Sequence, residues 1–390
     1  MNAAVLELPT VRRELGVWDC GRPGPTLLVI AGMHGNEPAG VLAARRVLER
    51  LQADELAIGG RLMAYAGNLA ALTAGQRYLE RDLNRGWGAA ALATLVGAEG
   101  ALAAEDYEQR ELLRCFERAI ATASGPVVVV DLHTSSADGP PFLCLADTID
   151  NRRFGLATGV PVILGIEETI DGASLEWFAD RGIVGVAVEG GQHELPQTID
   201  LLESVIWRAL EFLRMLPAGT DISTHRRHLQ QACAGAPSVI EIVRRHAITA
   251  EDGFVMQPGF ANFHRVGKGT LLARDRGGEI TAPRDCIVML PLYQKLGDDG
   301  FFLARTVRPF WLHLASVVRR LRLDACVTLM PGVRRDPEDD RTILVDRRIA
   351  RWFVTEIFHL LGFRKRRQRG ERLAFTRRWS RRENARLRGR

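Results

Sequence analysis

The chain has 390 residues, 46% hydrophobic and 25% charged, enough to bury a sizeable core and to hold two or three domains. Six cysteines stand singly, at 20, 115, 144, 233, 286 and 326, with no CxxC pair, which argues against a zinc ribbon or disulfide framework and suits a reducing compartment. The net charge of +5 is uneven: residues 361–390 hold thirteen Lys/Arg against two Glu, whereas the first 360 residues hold 39 basic and 45 acidic side chains, so nothing supports a nucleic-acid-binding role for the whole chain.

In chain order, Met1 to Thr10 lacks the basic-then-apolar order of a leader, and no apolar run approaches the roughly 20 residues of a membrane span. A soluble, cytoplasmic protein is expected. Thr26 to Ala31, Leu62 to Ala66, Val127 to Val130 and Ile183 to Val188 are short apolar runs that end in polar or Gly-rich turns. Runs such as Val127-Val128-Val129-Val130 are apolar at every position, as strands covered on both faces must be. Ala39 to Leu51, Tyr107 to Ala123 and Ile199 to Leu216 repeat apolar residues at helical spacing and predict covering helices. The first 220 residues therefore predict an α/β domain built on a mixed sheet. From about 230 to 305, Gly and Pro break up short strand-like runs, which predicts a small β-rich, barrel-like domain. Residues 306–390 read as a helical extension, with helices over Trp311 to Leu321 and Ile349 to Leu361, ending in an Arg-rich tail.

Three of the predicted strands end in residues fit for chemistry. His34 and Glu37 lie in Gly32-Met33-His34-Gly35-Asn36-Glu37, between the first strand and its helix. In an open α/β sheet the carboxyl ends of the strands are where loops converge on a site, and a histidine and a carboxylate three residues apart can face one ion. His133 ends the Val127 strand in Asp131-Leu132-His133 and is the natural third ligand, with Asp131 placed to orient an imidazole. Two His and one Glu are a common set for catalytic zinc, which keeps a position open. Either histidine alone reads as an ordinary polar residue at a strand end; the pair, with a carboxylate, shifts the reading toward a metal. A third strand ends in Val188-Glu189-Gly190, and a carboxylate leaving a buried strand is costly without a purpose, which makes Glu189 the candidate general base. The cluster from Arg77 to Arg85 reads as a salt-bridged loop that could set guanidinium and amide donors beside the metal.

These residues carry a resemblance. His34-Gly35-Asn36-Glu37, Arg77-Tyr78 to Asp82-Leu83-Asn84-Arg85, Asp131-Leu132-His133 and Val188-Glu189-Gly190 resemble, in order and spacing, the motifs of the succinylglutamate desuccinylase and aspartoacylase family. The likeness covers about Leu27 to Arg305, and Pro258 to Pro291 looks like the family's C-terminal β domain. The resemblance implies a zinc-carboxypeptidase-like fold and one Zn2+ per chain held by His34, Glu37 and His133. It further implies a zinc-bound water activated by Glu189, a scissile carbonyl polarised by Arg77, and a substrate carboxylate held by Asn84 and Arg85. Two features depart from it. Asp171 to Ser174 offers no Arg, and Gly297 to Gly300 no Tyr, where aspartoacylases grip the aspartyl part of their substrate.

The expected activity is removal of a succinyl- or acetyl-like group from an N-acyl amino acid or related small carboxylate. A metallocarboxypeptidase or esterase with the same centre is the alternative, and an inactive binding protein with a basic anchor stands behind it. The partners expected are the small-molecule substrate, an acidic protein or membrane surface for the Arg-rich tail, and a second copy of the chain as a homo-oligomer, with no specific nucleic acid. Residues 364–390 have no place in this mechanism, so their removal is expected to leave catalysis intact.

Overall fold

The computed structural model describes residues 10–98, 100, 102–294, 296–321, 323–339, 341–346, 354–369 and 372–377. Eight strands of the first 250 residues, β1 (Glu14–Asp19), β2 (Thr26–Ala31), β3 (Arg61–Ala66), β4 (Val127–Ser135), β5 (Phe142–Cys144), β6 (Val162–Leu164), β7 (Val184–Gln192) and β8 (Val239–Ala247), join one sheet. Its heart is the parallel run β3-β2-β4-β7, closed at one edge by antiparallel β1. Beyond β7 come antiparallel β5, then β6 parallel to β5 and β8 parallel to β6.

The apolar runs behave as strands buried on two faces should. Leu27, Val29, Ala31, Val128 and Val130 point into one core with helices Ala39–Ala53 and Gln197–Phe212. Leu28, Ile30, Val127 and Val129 point to the opposite side, into a second core with Leu112 and Phe116 of helix Ala104–Ala121 and Trp177 and Phe178 of helix Ser174–Asp180. Alternation along each strand thus feeds two helical layers.

The β-rich segment adds β9 (Val255–Met256), β10 (His264–Val266), β11 (Leu271–Asp275), β12 (Gly278–Thr281), β13 (Cys286–Met289) and β14 (Asp299–Thr306). Its strands divide. β14, β13 and β10 continue from β8 by antiparallel pairing and bring the main sheet to eleven strands, while β12, β11 and β9 form a small sheet of three. One consequence is that β14 delivers Asp299 to the same edge of the molecule as the loops after β5 and β6.

The segment from 306 onward differs from the helical extension expected. Helices Pro309–Arg320 and Val354–Leu361 are present, but β15 (Val333–Arg335), β16 (Thr342–Asp346), β17 (Phe363–Arg369) and β18 (Arg372–Arg377) form a four-stranded antiparallel sheet with them. Ile343, Val345, Leu373 and Phe375 supply its core with Phe358. Arginine-rich composition conceals this pattern in the sequence, because the apolar residues of β18 are enclosed by Arg372 and Arg377 in a run that reads as a solvated tail.

Arg364 opens that run, and it is buried. Its Nε donates to Asp147 Oδ2 at 2.6 Å, and its Nη1 lies 2.6 Å from Glu241 Oε1 and 3.3 Å from Glu168 Oε1. Asp147 also takes Arg319 at 3.0 Å and Arg152 at 2.7 Å. Burial opposes ionisation of Asp147, but Arg152, Arg319 and Arg364 outweigh it and hold this carboxyl well below the usual range. A chain ending near Phe363 would lose β17 and the inner strand β18 together with the Arg364 anchor, so the harmless truncation expected from the sequence does not follow.

We expect Arg364→Ala to destabilise the protein by about 3–5 kcal/mol, since it strands buried carboxylates, measured by denaturant unfolding. A carboxyl whose folded pKa is depressed contributes stability above its unfolded value and loses it as pH falls. Wild-type stability should therefore drop below about pH 4, and Asp147→Asn should flatten that drop while lowering stability at neutral pH. A pH profile unchanged by the substitution would contradict the pairing.

Candidate active site

The three central parallel strands end side by side. Ala31 of β2 stands opposite Leu132 of β4, and His133 of β4 stands opposite Glu189 of β7. Beyond Ala31 the chain turns through Gly32 and His34 into the helix that starts at Ala39, with Glu37 in its approach. The turn lies tightly on the next loop: a Cβ at Gly35 would meet the Ala71 carbonyl carbon at 2.0 Å, and Gly35 N–H donates to Arg77 O at 3.1 Å. Only glycine permits that approach, and it sets His34 and Arg77 beside one another.

Glu37 is the hub. Its Oε1 lies 2.8 Å from His34 Nδ1, and its Oε2 lies 3.0 Å from His133 Nδ1 and accepts from Thr134 N–H at 3.0 Å. Arg77 Nη1 is 3.6 Å from Oε1. All three ligand candidates are buried, and one donor atom from each lies within 4.8 Å of the others, so His34, Glu37 and His133 form a group able to hold a metal ion. Burial works against the Glu37 charge, but the charges of His34 and His133 prevail and hold it well below the ordinary carboxylate range.

The outer sides of the rings test the fit to a metal. His34 Nε2 is 3.2 Å from Asp82 Oδ1, and His133 Nε2 is 3.3 Å from Asp131 Oδ2, an ion-pair distance without a directed hydrogen bond. Asp131 in turn accepts from Ser174 Oγ at 2.9 Å. Both Nδ1 atoms face Glu37, and with a cation bound among them the carboxylates on the Nε2 sides would hold the ring hydrogens there and turn the Nδ1 lone pairs to the ion. The donor set and its backing therefore fit a metal centre.

Glu189 is half-buried as a residue, but its carboxyl Oε2 is enclosed and has no hydrogen-bond partner. Burial first, then the charge of Glu37, pushes its carboxyl up to about 8, against the opposing pull of His133 and Arg77. Arg77 Nη2 is 3.2 Å from Asp82 Oδ2, while its Nε is buried without a partner. Asn84 Oδ1 accepts from Ser174 N–H at 2.7 Å, which leaves its NH2 group to donate elsewhere. The same contact zone needs Gly172, whose φ is +75° and whose added Cβ would meet Arg85 O at 2.1 Å. Arg85 Nη2 lies 3.4 Å from Asp299 Oδ2.

His34, Glu37, Arg77, Asn84, Arg85, His133 and Glu189, all named from the sequence, line one cavity of about 190 Å³. That is space for an amino-acid-sized ligand, since a pocket of about 150 Å³ takes benzene. Sequence reasoning missed Asp82 as the carboxylate behind His34, although its place between Arg81 and Asn84 in a cluster already singled out was a usable signal. It also missed His193, which bonds Thr134 Oγ1 at 2.6 Å and Gln294 Oε1 at 3.2 Å; a contact across 101 residues has no local signature.

An open α/β sheet thus carries a buried His-Glu-His group, able to hold a metal ion, at the ends of its central parallel strands, with the Glu189 carboxyl one strand away. The model of the succinylglutamate desuccinylase/aspartoacylase catalytic domain matches residues 23–172. Over that part of the chain the sequence is similar to the catalytic domain of this family. It is 33% identical over 110 residues to the succinylglutamate desuccinylase of Photorhabdus laumondii subsp. laumondii, an alignment covering 28% of this chain and only 33% of that protein. The succinylglutamate desuccinylase of Burkholderia cenocepacia is 25% identical over 281 residues, 67% of this chain and 75% of that one. The fold is that of the crystal structure of succinylglutamate desuccinylase/aspartoacylase from Rhodobacter sphaeroides, with a TM-score of 0.56 at 18% identity over 76% of this chain and 88% of that chain. Among the described residues no helix is long and apolar enough to cross a membrane.

The purified protein should carry about one metal ion per chain, and His34→Ala or His133→Ala should remove it, because three protein ligands are the minimum for a stable catalytic site. Elemental analysis decides this, and full occupancy in both variants would sink the ligand assignment.

Proposed function

We propose that the protein is a zinc-dependent amidohydrolase that removes an acyl group from an N-acyl amino acid or related small carboxylate. The observation that supports this most directly is the register of β4 against β7, which sets the buried carboxyl of Glu189 beside His133 in the cavity that holds the His34–Glu37–His133 group. Two imidazoles and one carboxylate suit zinc with a coordination position left open. When bound, the metal supplies Lewis acidity, which acidifies water and polarises a carbonyl.

The chain's own residues divide the remaining work. Glu189 takes a proton from the water that attacks the amide carbon and passes it to the departing nitrogen, so that the C–N bond breaks to release a carboxylic acid and an amine. Its unpartnered Oε2 is the atom for this task, and the positive charge of a metal opposes the upward push that burial and Glu37 exert on it. Arg77, held by Asp82 and Glu37, presents its remaining N–H groups to the carbonyl oxygen as negative charge develops there. Asn84 and Arg85 grip the carboxylate of the amino acid, the NH2 of one and the guanidinium of the other serving as donors.

Glu189→Gln should keep metal and fold but lose roughly 100-fold or more in kcat. Retained activity in that variant would assign the base elsewhere. Arg77→Ala should lower kcat more than it raises KM, as a donor aimed at the transition state does, whereas Arg85→Ala should act chiefly on KM. Steady-state kinetics on N-acyl amino acids separate the two, and the reverse pattern would exchange the roles.

A further inference from the structure

The charges around the cavity narrow the substrate further. Among the described residues lining it, the cationic side chains are Arg77 and Arg85. Both are already engaged. Arg77 sits against Asp82 and Glu37, while Arg85 donates to the Asn84 carbonyl at 3.1 Å and faces Asp299 at 3.4 Å. Asp299 is itself clamped by Arg245 from β8, so it is fixed at the cavity rather than free to swing away. Beyond the metal group, Glu167, Glu176 and Asp298 add further carboxylates to the lining. Glu167 is held by Asp147 N–H at 2.9 Å and Glu176 by Gly172 N–H at 2.9 Å.

The rest of the wall is apolar. Leu145 and Ile166 come from the loops after β5 and β6, Ile170 follows them, and Leu290, Leu292 and Phe302 come from the β-rich segment. A succinylglutamate brings three carboxylates. One can be met by Arg85 and Asn84; the others would be pressed against carboxylates or hydrocarbon, and burying a charge without a counter-charge or donor is strongly unfavourable. An apolar substituent in the same place gains from burial.

Resting on the deacylase reading, we infer that the substrate is an N-acyl amino acid with one free carboxylate, bound by Arg85 and Asn84, whose side chain and acyl group are uncharged and apolar. Asp299 is the specificity-determining residue. It occupies one side of Arg85 and repels a second substrate carboxylate, while the leucine, isoleucine and phenylalanine wall receives the apolar group.

The test uses full-length, zinc-loaded protein and four compounds: N-acetylleucine, N-acetylphenylalanine, N-acetylaspartate and N-succinylglutamate. Turnover is measured with the wild type, and binding of the same compounds to Glu189→Gln protein by calorimetry. The two monocarboxylates should exceed the others by about 100-fold in kcat/KM and keep the same order in Kd, and Asp299→Asn should narrow that gap by about 10-fold. Preference for N-acetylaspartate or N-succinylglutamate in either readout overturns the substrate class, as does failure of all four to bind. The expected binding order with no turnover of any compound would support the substrate class and count against the deacylase reading.

Discussion

A carboxylate with almost no exposure to solvent is tolerable only where its charge is answered at close range, and Glu37 is such a group. It is answered by two imidazoles and the Thr134 amide, with Arg77 just beyond. That requirement reaches outward through the site. The imidazoles need their outer nitrogens met, which brings in Asp82 and Asp131; Asp131 needs Ser174, and Asp82 needs Arg77. A chain of alternating charges therefore runs from the hub to the loops after β3 and β4 and to the helix that begins at Ser174. Glu189 lies beside this chain, its Oε2 without a hydrogen-bond partner.

The same rule governs the far side of the cavity. Leu145 and Ala146 line it, and Asp147, the next residue, points away into the cluster formed by Arg152, Arg319 and Arg364. Ile166 and Glu167 line it as well, and Glu168 reaches Arg364 and His359. Two adjoining wall segments are thus held from behind by residues of the C-terminal segment. The cavity has its chemistry in the central parallel strands and its shape in loops steadied by elements hundreds of residues later. A positioning role for that segment follows from contact, with none of its described residues among the cavity lining.

Similarity to a deacylase catalytic domain over residues 23–172 and the shape of this particular cavity carry different information. The His34–Glu37–His133 group and Glu189 sit at one end of the cavity, while the lining beyond them is poor in cations and rich in hydrocarbon. One fold can act on different small molecules because reactive geometry sits on rigid strand ends and selectivity on the loops and strands that face them.

The amino-acid sequence by itself determined the parallel strands and named the candidate metal-holding group that they bring together. Unbroken runs such as Val127 to Val130 can be satisfied only by burial on both faces, and His34, Glu37, His133 and Glu189 each follow or end such a run, so local pattern sufficed to name them. Arg77, Asn84 and Arg85 were legible through one compact motif. What only the tertiary structure decided depends on pairing between distant segments. The register that sets His133 opposite Glu189 joins strands more than fifty residues apart. Asp82 behind His34, Asp299 against Arg85 and Arg364 against Asp147 are contacts across 48, 214 and 217 residues. An arginine run reads as solvated until a buried carboxylate is brought to it, because the free energy of a charge is set by what surrounds it rather than by its neighbours in the chain.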